Sequence, residues 1–428
     1  MRSPKAVLGG GLILLAAAQT NAGAVDQKLL DMLLANGSIT RAQHAELSTD
    51  LAREQRAAKR AAKETVSKED FTQFQQLAGW AGRTALAGDM RVRQEIIDVQ
   101  DDPDYGRGNR DRQRIRARLS AISQVNPEVE AGLQIATGNS NDQRSTNQDL
   151  NTNFTKKSVW FDQAYINYHP VAVPGLKAFA GKFKQPWMSF GDIVWDSDIN
   201  PEGFAAQYTK KMGTNTLFGS AGYYTIWDGV NQEGYEYSDD LGMYQAQLGA
   251  AFDAGESARL TVGGSIYDFN DDTYAKKYNT GFSTNGNTTD KFGIWEVFAQ
   301  LDVIGLPLPL SIYGQYEQNY ESEDYLKATD GDQDTGYLIG LRTNLWGVAV
   351  EYNYRDVEAN AVVGAFTDSD FAAGYTNSWG HKLKLKYDIL KNFSIGATYF
   401  MAESDAASFY KYEDTDVDTL QLDLEAKF

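Results

Sequence analysis

Cysteine is absent, and histidine occurs three times, at His44, His169 and His381. The first absence excludes a disulfide framework, a thiolate metal centre and a cysteine nucleophile. The second leaves little material for a histidine metal site, and no spacing unites these histidines with a serine and an aspartate as a relay. Basic residues are the minority charge, 40 Lys and Arg against 58 Asp and Glu, for a net charge of −18. That balance argues against a general nucleic-acid binder, which needs a basic surface. Beyond the first 24 residues no apolar run is long enough for a membrane helix. The mean hydropathy of −0.47 excludes a helical membrane bundle. It does not exclude a membrane β-barrel, whose inner face is polar.

What is present begins with a leader. Arg2 and Lys5 precede the apolar run Ala6 to Ala18, and Ala22-Gly23-Ala24 offers a small-residue cleavage site. The run is short of the roughly 20 residues that span a bilayer, so the pattern is a secretory signal peptide over residues 1–24. Residues 25–83 read as helical. Leu29, Leu30, Leu33 and Leu34 lead to an Asn36-Gly37 stop, and Thr40-Arg41-Ala42-Gln43 fits a capping box that opens a helix to about Glu64. A third short helix is expected within Ser67 to Leu77. The thin stripe of Leu47 and Leu51 suits a helical hairpin feeding a short self-associating segment.

From Thr84 the hydrophobic period falls from 3.6 to 2. Leu420, Leu422, Leu424, Ala426 and Phe428 alternate with Gln421, Asp423, Glu425 and Lys427. Ile115, Ala117, Leu119 and Ala121 alternate with Arg114, Arg116, Arg118 and Ser120. Leu383, Leu385 and Tyr387 alternate with Lys382, Lys384 and Lys386. Each run has one apolar and one polar face. Tight turns, as at Gly213, Gly255 and Leu345 to Gly347, take turns with long polar stretches, as at Gly138 to Thr155 and Ala359 to Asn377. At about 22 residues per strand with its share of connections, residues 84–428 hold close to sixteen strands. The expected fold is a sixteen-stranded antiparallel transmembrane barrel behind a short periplasmic helical segment. Such a barrel encloses water rather than a packed core. A soluble β-sandwich shares the alternation. The leader, the alternating connection lengths and aromatics near strand ends (Tyr223-Tyr224, Tyr316, Tyr320, Tyr352, Tyr354, Tyr399) favour the barrel. On this pattern Leu422 touches lipid and Asp423 faces water, so Leu422→Arg is expected to impair assembly far more than Asp423→Arg.

Gly88-Asp89-Met90-Arg91-Val92-Arg93 resembles the first strand of the bacterial putative-porin family. So does the run through Phe161-Asp162-Gln163-Ala164-Tyr165, Ala180-Gly181-Lys182-Phe183-Lys184-Gln185-Pro186 and Trp195-Asp196-Ser197-Asp198-Ile199-Asn200-Pro201-Glu202-Gly203. The resemblance covers Thr84 to Phe428 and is densest in the first third. The helical segment resembles the one ahead of some substrate-selective porins. The resemblance implies a trimeric outer-membrane channel of a Gram-negative bacterium, passing small hydrophilic solutes and ions, with no cofactor. It also implies that terminal Phe428, after Leu422 and Leu424, is read by the barrel-assembly machinery, and that the loop Pro186 to Gly203 folds into the barrel.

The residues themselves add a site. Arg91 and Arg93 on one strand adjoin Arg114, Arg116 and Arg118 on the next. Like charges this close destabilise a strand pair unless screened, and in lipid each costs roughly 2–4 kcal/mol. They must face water or acids. Asp192, Asp196, Asp198 and Glu202 on the inward loop are expected to oppose them across the opening, making a constriction with a transverse field. The alternative is a wall network with Asp89, Glu95 and Glu130. Asp196-x-Asp198-x-Asn200 lacks the glycine of a calcium loop and carries Pro201 instead, so no dedicated metal site is expected. Acidic loops such as Glu321 to Asp334 suit divalent cations bridging lipopolysaccharide. No P-loop or G-x-S-x-G occurs, and an enzyme is not expected. A substrate-selective anion channel and a non-conducting adhesin or envelope tether remain open beside the diffusion pore.

Overall fold

A computed structural model describes residues 27–64, 79, 81–99, 109–227, 241–270, 285–303, 306–322, 333–405 and 415–428. The leader with its Ala22 and Ala24 cleavage site, and the third short helix, lie outside these residues. The chain divides into two compact units, Met1–Gly82 and Arg83–Phe428.

In the first unit, α1 spans 27–35 and α2 spans Arg41–Glu64. Gly37 takes the left-handed conformation that ends α1, with φ +79°. Thr40 N donates to Gln43 Oε1 at 2.9 Å and Gln43 N donates to Thr40 Oγ1 at 3.2 Å, a reciprocal capping box. The helices touch through His44 and Asp31, at 2.9 Å, and through Gln27 and Ser48.

The second unit is a closed antiparallel barrel of sixteen strands with one extra two-residue strand. They are β1 (Thr84–Val99), β2 (Arg110–Asn126), β3 (Val129–Thr137), β4 (Gln148–Asp149), β5 (Val159–Tyr168), β6 (Leu176–Lys182), β7 (Glu202–Met212), β8 (Asn215–Trp227) and β9 (Leu241–Asp253). There follow β10 (Ala258–Asn270), β11 (Gly293–Val303), β12 (Leu310–Asn319), β13 (Thr335–Leu345), β14 (Val348–Val357), β15 (Ser378–Leu390), β16 (Phe393–Ser404) and β17 (Thr415–Lys427). Each wall strand pairs with its neighbour in sequence. The small strand β4 stands outside this order and pairs with β2. β17 returns to β1, from Asp89 opposite Lys427 to Val99 opposite Val417, and so leaves no free edge. The C-terminal residue extends this seam. Gly88 and Phe428 exchange both backbone hydrogen bonds at 2.9 Å. A Cβ on Gly88 would lie 2.5 Å from the Phe428 ring, so glycine is what admits that close approach.

Connections alternate in length. The β13–β14 turn is two residues, Trp346 (φ 53°) and Gly347 (φ 90°), both left-handed as a tight hairpin requires. At the other end, long loops join β3 to β5, β6 to β7 and β14 to β15.

Alternation along the strands sorts side chains as the sequence pattern predicts. Leu86, Met90 and Val92 on β1, and Leu422 and Leu424 on β17, are exposed on the outer face. Between them Asp89, Arg91, Arg93, Asp423 and Glu425 point inward. The outer face is aromatic near the strand ends. Tyr352 and Tyr354 flank His381, whose Nδ1 lies 2.8 Å from the Tyr352 hydroxyl. Tyr223 stacks on Tyr244 with ring centroids 5.0 Å apart. The sequence grouping of Tyr223 with Tyr224 needs correction. Successive strand residues face opposite ways, and Tyr224 is buried inside the barrel, 1% exposed.

Leu422→Arg is expected to cost about 2–4 kcal/mol and to reduce the folded, heat-modifiable band in detergent gels. The companion substitution must change, because Asp423 is ion-paired to Arg93 at 2.8 Å rather than simply wetted. The informative control is Lys384→Gln, at an exposed inward cation, which should leave the folded band at the wild-type level.

Candidate functional site

β1 and β2 bring the predicted arginines together in register. Arg91 lies opposite Arg116 and Arg93 opposite Arg114, with Asp89 opposite Arg118 and Glu95 opposite Arg112. Two directly opposed like-charged pairs are unfavourable alone. The third strand resolves this: β17 sets Glu425 opposite Arg91 and Asp423 opposite Arg93.

The resulting ion pairs form one ladder. Asp423 receives Arg93 Nε at 2.8 Å and Nη2 at 2.9 Å, a bidentate pair. Arg116 meets Asp89 at 2.7 Å and Glu425 at 2.9 Å, and Arg118 meets Asp89 at 2.9 Å. Glu95 pairs with Arg112 and lies 3.4 Å from Arg114. Asp149, on β4, reaches Arg114 at 2.9 Å and Arg112 at 3.2 Å. Arg91 donates to Asn147 at 2.7 Å. The wall network named as the alternative in the sequence is therefore built, with Asp89 and Glu95 as members. Asp149, Asp423 and Glu425 complete it, and among the described residues Glu130 forms no ion pair with it.

β15 extends the basic arc with Lys382, Lys384 and Lys386, which sequence reasoning did not place in the site although their alternation with Leu383, Leu385 and Tyr387 signalled an inward row. Lys386 pairs with Glu425 at 2.6 Å, and Lys382 lies 5.3 Å from the Phe400 ring centroid. Lys384 has no hydrogen-bond or ion-pair partner among the described residues.

The loop acids are placed differently from expectation. Asp198 does meet the ladder, 3.4 Å from Arg118, and is held by Thr146 Oγ1 at 3.0 Å. Asp192 lies instead among the charges of Lys382, Asp368, Arg355 and Lys384. Asp196 is buried and accepts backbone N–H groups of Asp198 and Ser369. Glu202 shares the outward parity of Phe204 and Tyr208 and pairs with Lys182 at 2.8 Å. It cannot oppose the arginines, because it begins β7 and the pleat turns it out of the lumen. The loop after β14 supplies an acid that the sequence reading missed. Asp370 meets Arg93 at 3.1 Å.

These acids differ electrostatically. Burial raises Asp192. Burial, reinforced by the charges of Asp192, Asp368 and Asp198, holds Asp196 well above the usual carboxylate range. Burial works against the Asp370 anion too, but Arg93, a hydrogen bond from Gln421, Arg114 and Arg91 outweigh it and hold its carboxyl below the usual range. The anion facing the ladder most firmly is thus Asp370, together with the wall acids.

The other half of the lumen is filled by the inward loops. Trp187, Ile193, Val194 and Trp195 from the β6–β7 loop and Ala361, Val362 and Val363 from the β14–β15 loop pack against Tyr224, Tyr267, Phe298, Tyr313 and Leu338 of the wall. Trp195 lies 5.2 Å from Trp187 and stacks on Phe366 at 5.1 Å. Asp196 N donates to Phe366 O at 2.6 Å and Asp368 N to Asp192 O at 2.8 Å, joining the two loops. Glutamines fasten them to the wall. Gln247 both donates to and accepts from the Met188 backbone, and Gln315 accepts from Gly191 N. The expectation of an aqueous lumen throughout is corrected accordingly. The apolar loop residues pack against the inner face of β7–β14, where Glu296, Glu317 and Arg355 are also buried, and Phe371 reaches Phe400 on β16. The row of charges lines β15, β17, β1 and β2.

Among the described residues no group of three or more His, Cys, Asp or Glu is placed to hold a metal. Asp198 and Asn200, the heart of the calcium-like motif, are engaged by Arg118 and Asp162. His381 points out of the barrel beside two tyrosines.

Two engineered variants of the Rhodopseudomonas blastica porin, one with two substitutions and one with three, are each 9% identical to this chain. Each alignment covers 81% of this chain and 100% of the variant, with a TM-score of 0.44. No curated protein matches the sequence. The sequence profile of the family described as "Putative porin" matches residues 100–300 and 318–428. With a sixteen-stranded closed barrel, a charge-lined inner arc and a family match over most of its length, the chain belongs to the Putative porin family.

Proposed function

We propose that the protein is an outer-membrane porin of a Gram-negative bacterium through which small hydrophilic solutes and ions diffuse passively. One observation supports this above the others: the inward loops pack chiefly against β7–β14, with Phe371 also on Phe400 of β16, while the inner face of β15, β17, β1 and β2 is lined by charge. A solute crossing beside that arc meets guanidinium and ammonium groups on the wall and Asp198 and Asp370 on the loops. Fixed charges of both signs at one level orient dipolar solutes and set ion preference. The chemistry is that of a channel rather than an enzyme.

In this reading residues 1–24 direct export, residues 25–83 lie in the periplasm, and residues 84–428 form the pore. The outer face meets lipid and lipopolysaccharide. Phe428, Leu424 and Leu422 serve the assembly machinery, and the protein works as a homotrimer to which the helices contribute. We assign the constriction to Arg91, Arg93, Arg114, Arg116, Arg118 and Asp198. Lys384 and Asp370 join them.

Single-channel recording tests the reading. Arg116→Ala should shift the reversal potential in a salt gradient toward cation preference, and Asp198→Ala should shift it toward anions. Unchanged conductance and selectivity in both would remove the constriction. No channel at all from the wild-type protein would favour the tether.

An anion-guided, substrate-selective channel is the second reading. Lys382 and Lys384 support it, because neither forms an ion pair among the described residues.

A further inference from the structure

The described residues enclose a second polar feature, away from the ladder's middle. A cavity of about 370 Å³ lies between the inner face of β2 and the β3–β5 loop. Arg112, Arg114, Asn147, Thr152, Lys156 and Lys157 are among the residues that line it. Its volume is at the small end of the range for ligand sites, about 300–1,000 Å³, enough for one sugar-sized molecule.

The charges on its walls are not balanced. The two arginines are met by Glu95 and by Asp149. The second lining carboxylate, Asp142, accepts the Arg144 backbone N–H at 3.1 Å and has the Arg144 guanidinium 4.0 Å away. Nothing among the described residues neutralises the lysines. Lys157 reaches a hydroxyl, Thr152 Oγ1, at 3.5 Å, and Lys156 makes no hydrogen bond or ion pair. Two adjacent ammonium groups thus face a cavity whose arginine wall is already fixed. They do so on a chain of net charge −18, whose overall field repels anions. Local cations on an acidic protein select anions by contact rather than by long-range attraction.

We infer that this cavity binds a phosphate ester carried on a hydroxylated sugar ring, with Lys156 and Lys157 on the phosphate. A phosphate ester bears about −1.5 to −2 charges near neutral pH, which matches two ammonium groups better than a single carboxylate does. Hydroxyl and amide groups, Thr152 and Asn147 among them, supply donors and acceptors for ring hydroxyls. The ligand has two sources, a free sugar phosphate on its way through the pore or the phosphorylated headgroup of a glycolipid in the outer leaflet. The role in uptake rests on the porin reading above. Binding is measured without current, so failure of the site and failure of the channel are distinguishable.

The experiment is calorimetric titration of the full-length protein, purified in detergent free of lipopolysaccharide, with glucose 6-phosphate and with glucose. Glucose 6-phosphate is expected to bind once per chain, with glucose at least about tenfold weaker. K156A/K157A should weaken glucose 6-phosphate by at least about tenfold, while K210A/K211A, which removes the same charge elsewhere, should bind as wild type. Binding by a phosphorylated glycolipid, lost in K156A/K157A, with none by glucose 6-phosphate, assigns the site to the headgroup. Equal binding by wild type and K156A/K157A, or no binding of either ligand, overturns the inference.

Discussion

Glu95→Ala is expected to destabilise the barrel more than any other single change in the charged arc, by about 3–5 kcal/mol. Glu95 is 1% exposed. It is paired with Arg112 and accepts from Arg114 at 3.4 Å and from Gln421 Nε2 at 3.1 Å, with Arg93 3.7 Å away. Removing it leaves Arg93, Arg112 and Arg114 facing one another where little water reaches, with only Asp149, Asp370 and Asp423 to balance them, and weakening the compensation of buried charges costs more than the lost pair contributed. Thermal unfolding followed by the heat-modifiable gel shift measures the loss. Glu95→Gln keeps the shape and one acceptor oxygen, so its loss should be smaller. The same substitution removes a fixed negative charge from the lumen and should move the reversal potential toward anions. An Ala variant as stable as the wild type would mean that the arginines are solvated individually and that the ladder is not a unit.

Trp195→Ala is the second large effect, and it acts on the opposite side of the lumen. The indole is 4% exposed, stacked on Phe366 and packed against Trp187 and Tyr267. Truncating a buried tryptophan costs about 3–5 kcal/mol, part of it from the void left behind. Here the loss falls on the junction of two loops and leaves strand pairing intact. The far-UV circular dichroism of the barrel should therefore persist, while single-channel conductance rises and becomes noisier as the β6–β7 and β14–β15 loops separate. Unchanged conductance with lowered thermal stability would show that the loops stay docked through Gln247, Gln315 and the backbone bonds at Asp196 and Asp368. It would also show that the apolar half does not limit flow.

These two substitutions separate what holds the wall from what fills it. Glu95 belongs to a strand and answers charges that the hydrogen-bond register forces together. Trp195 belongs to a loop whose backbone groups must be satisfied once it enters the barrel. The loop meets that need through glutamine side chains and the partner loop rather than through a sheet.

Much of this was legible in the sequence. Strand period 2 is a local property: each residue's face follows from its neighbours, so the outward Leu422 and Leu424 and the inward Arg91, Arg93, Arg114, Arg116 and Arg118 could be assigned without coordinates. The capping box at Thr40 and Gln43 is equally local. The arginine ladder was foreseen as a juxtaposition because β1 and β2 are joined directly.

Its partners depended on longer reach. Asp423 and Glu425 stand some 330 residues from Arg93 and become its neighbours through the closure of β17 on β1. Asp370 arrives on a loop that spacing alone could not aim. The same limit explains the loop errors. Asp192, Asp196 and Glu202 were grouped with Asp198 by sequence proximity, but a loop has no fixed period. The packing of Trp187, Ile193 and Trp195 was not legible because their apolar partners lie on strands far along the chain. Alternation by itself determined which face of each strand is charged, and only with the alternating connection lengths did it point to a barrel; tertiary closure decided which charges meet and how much of the lumen the loops occupy, because both depend on contacts between segments that the chain brings together after the strands have formed.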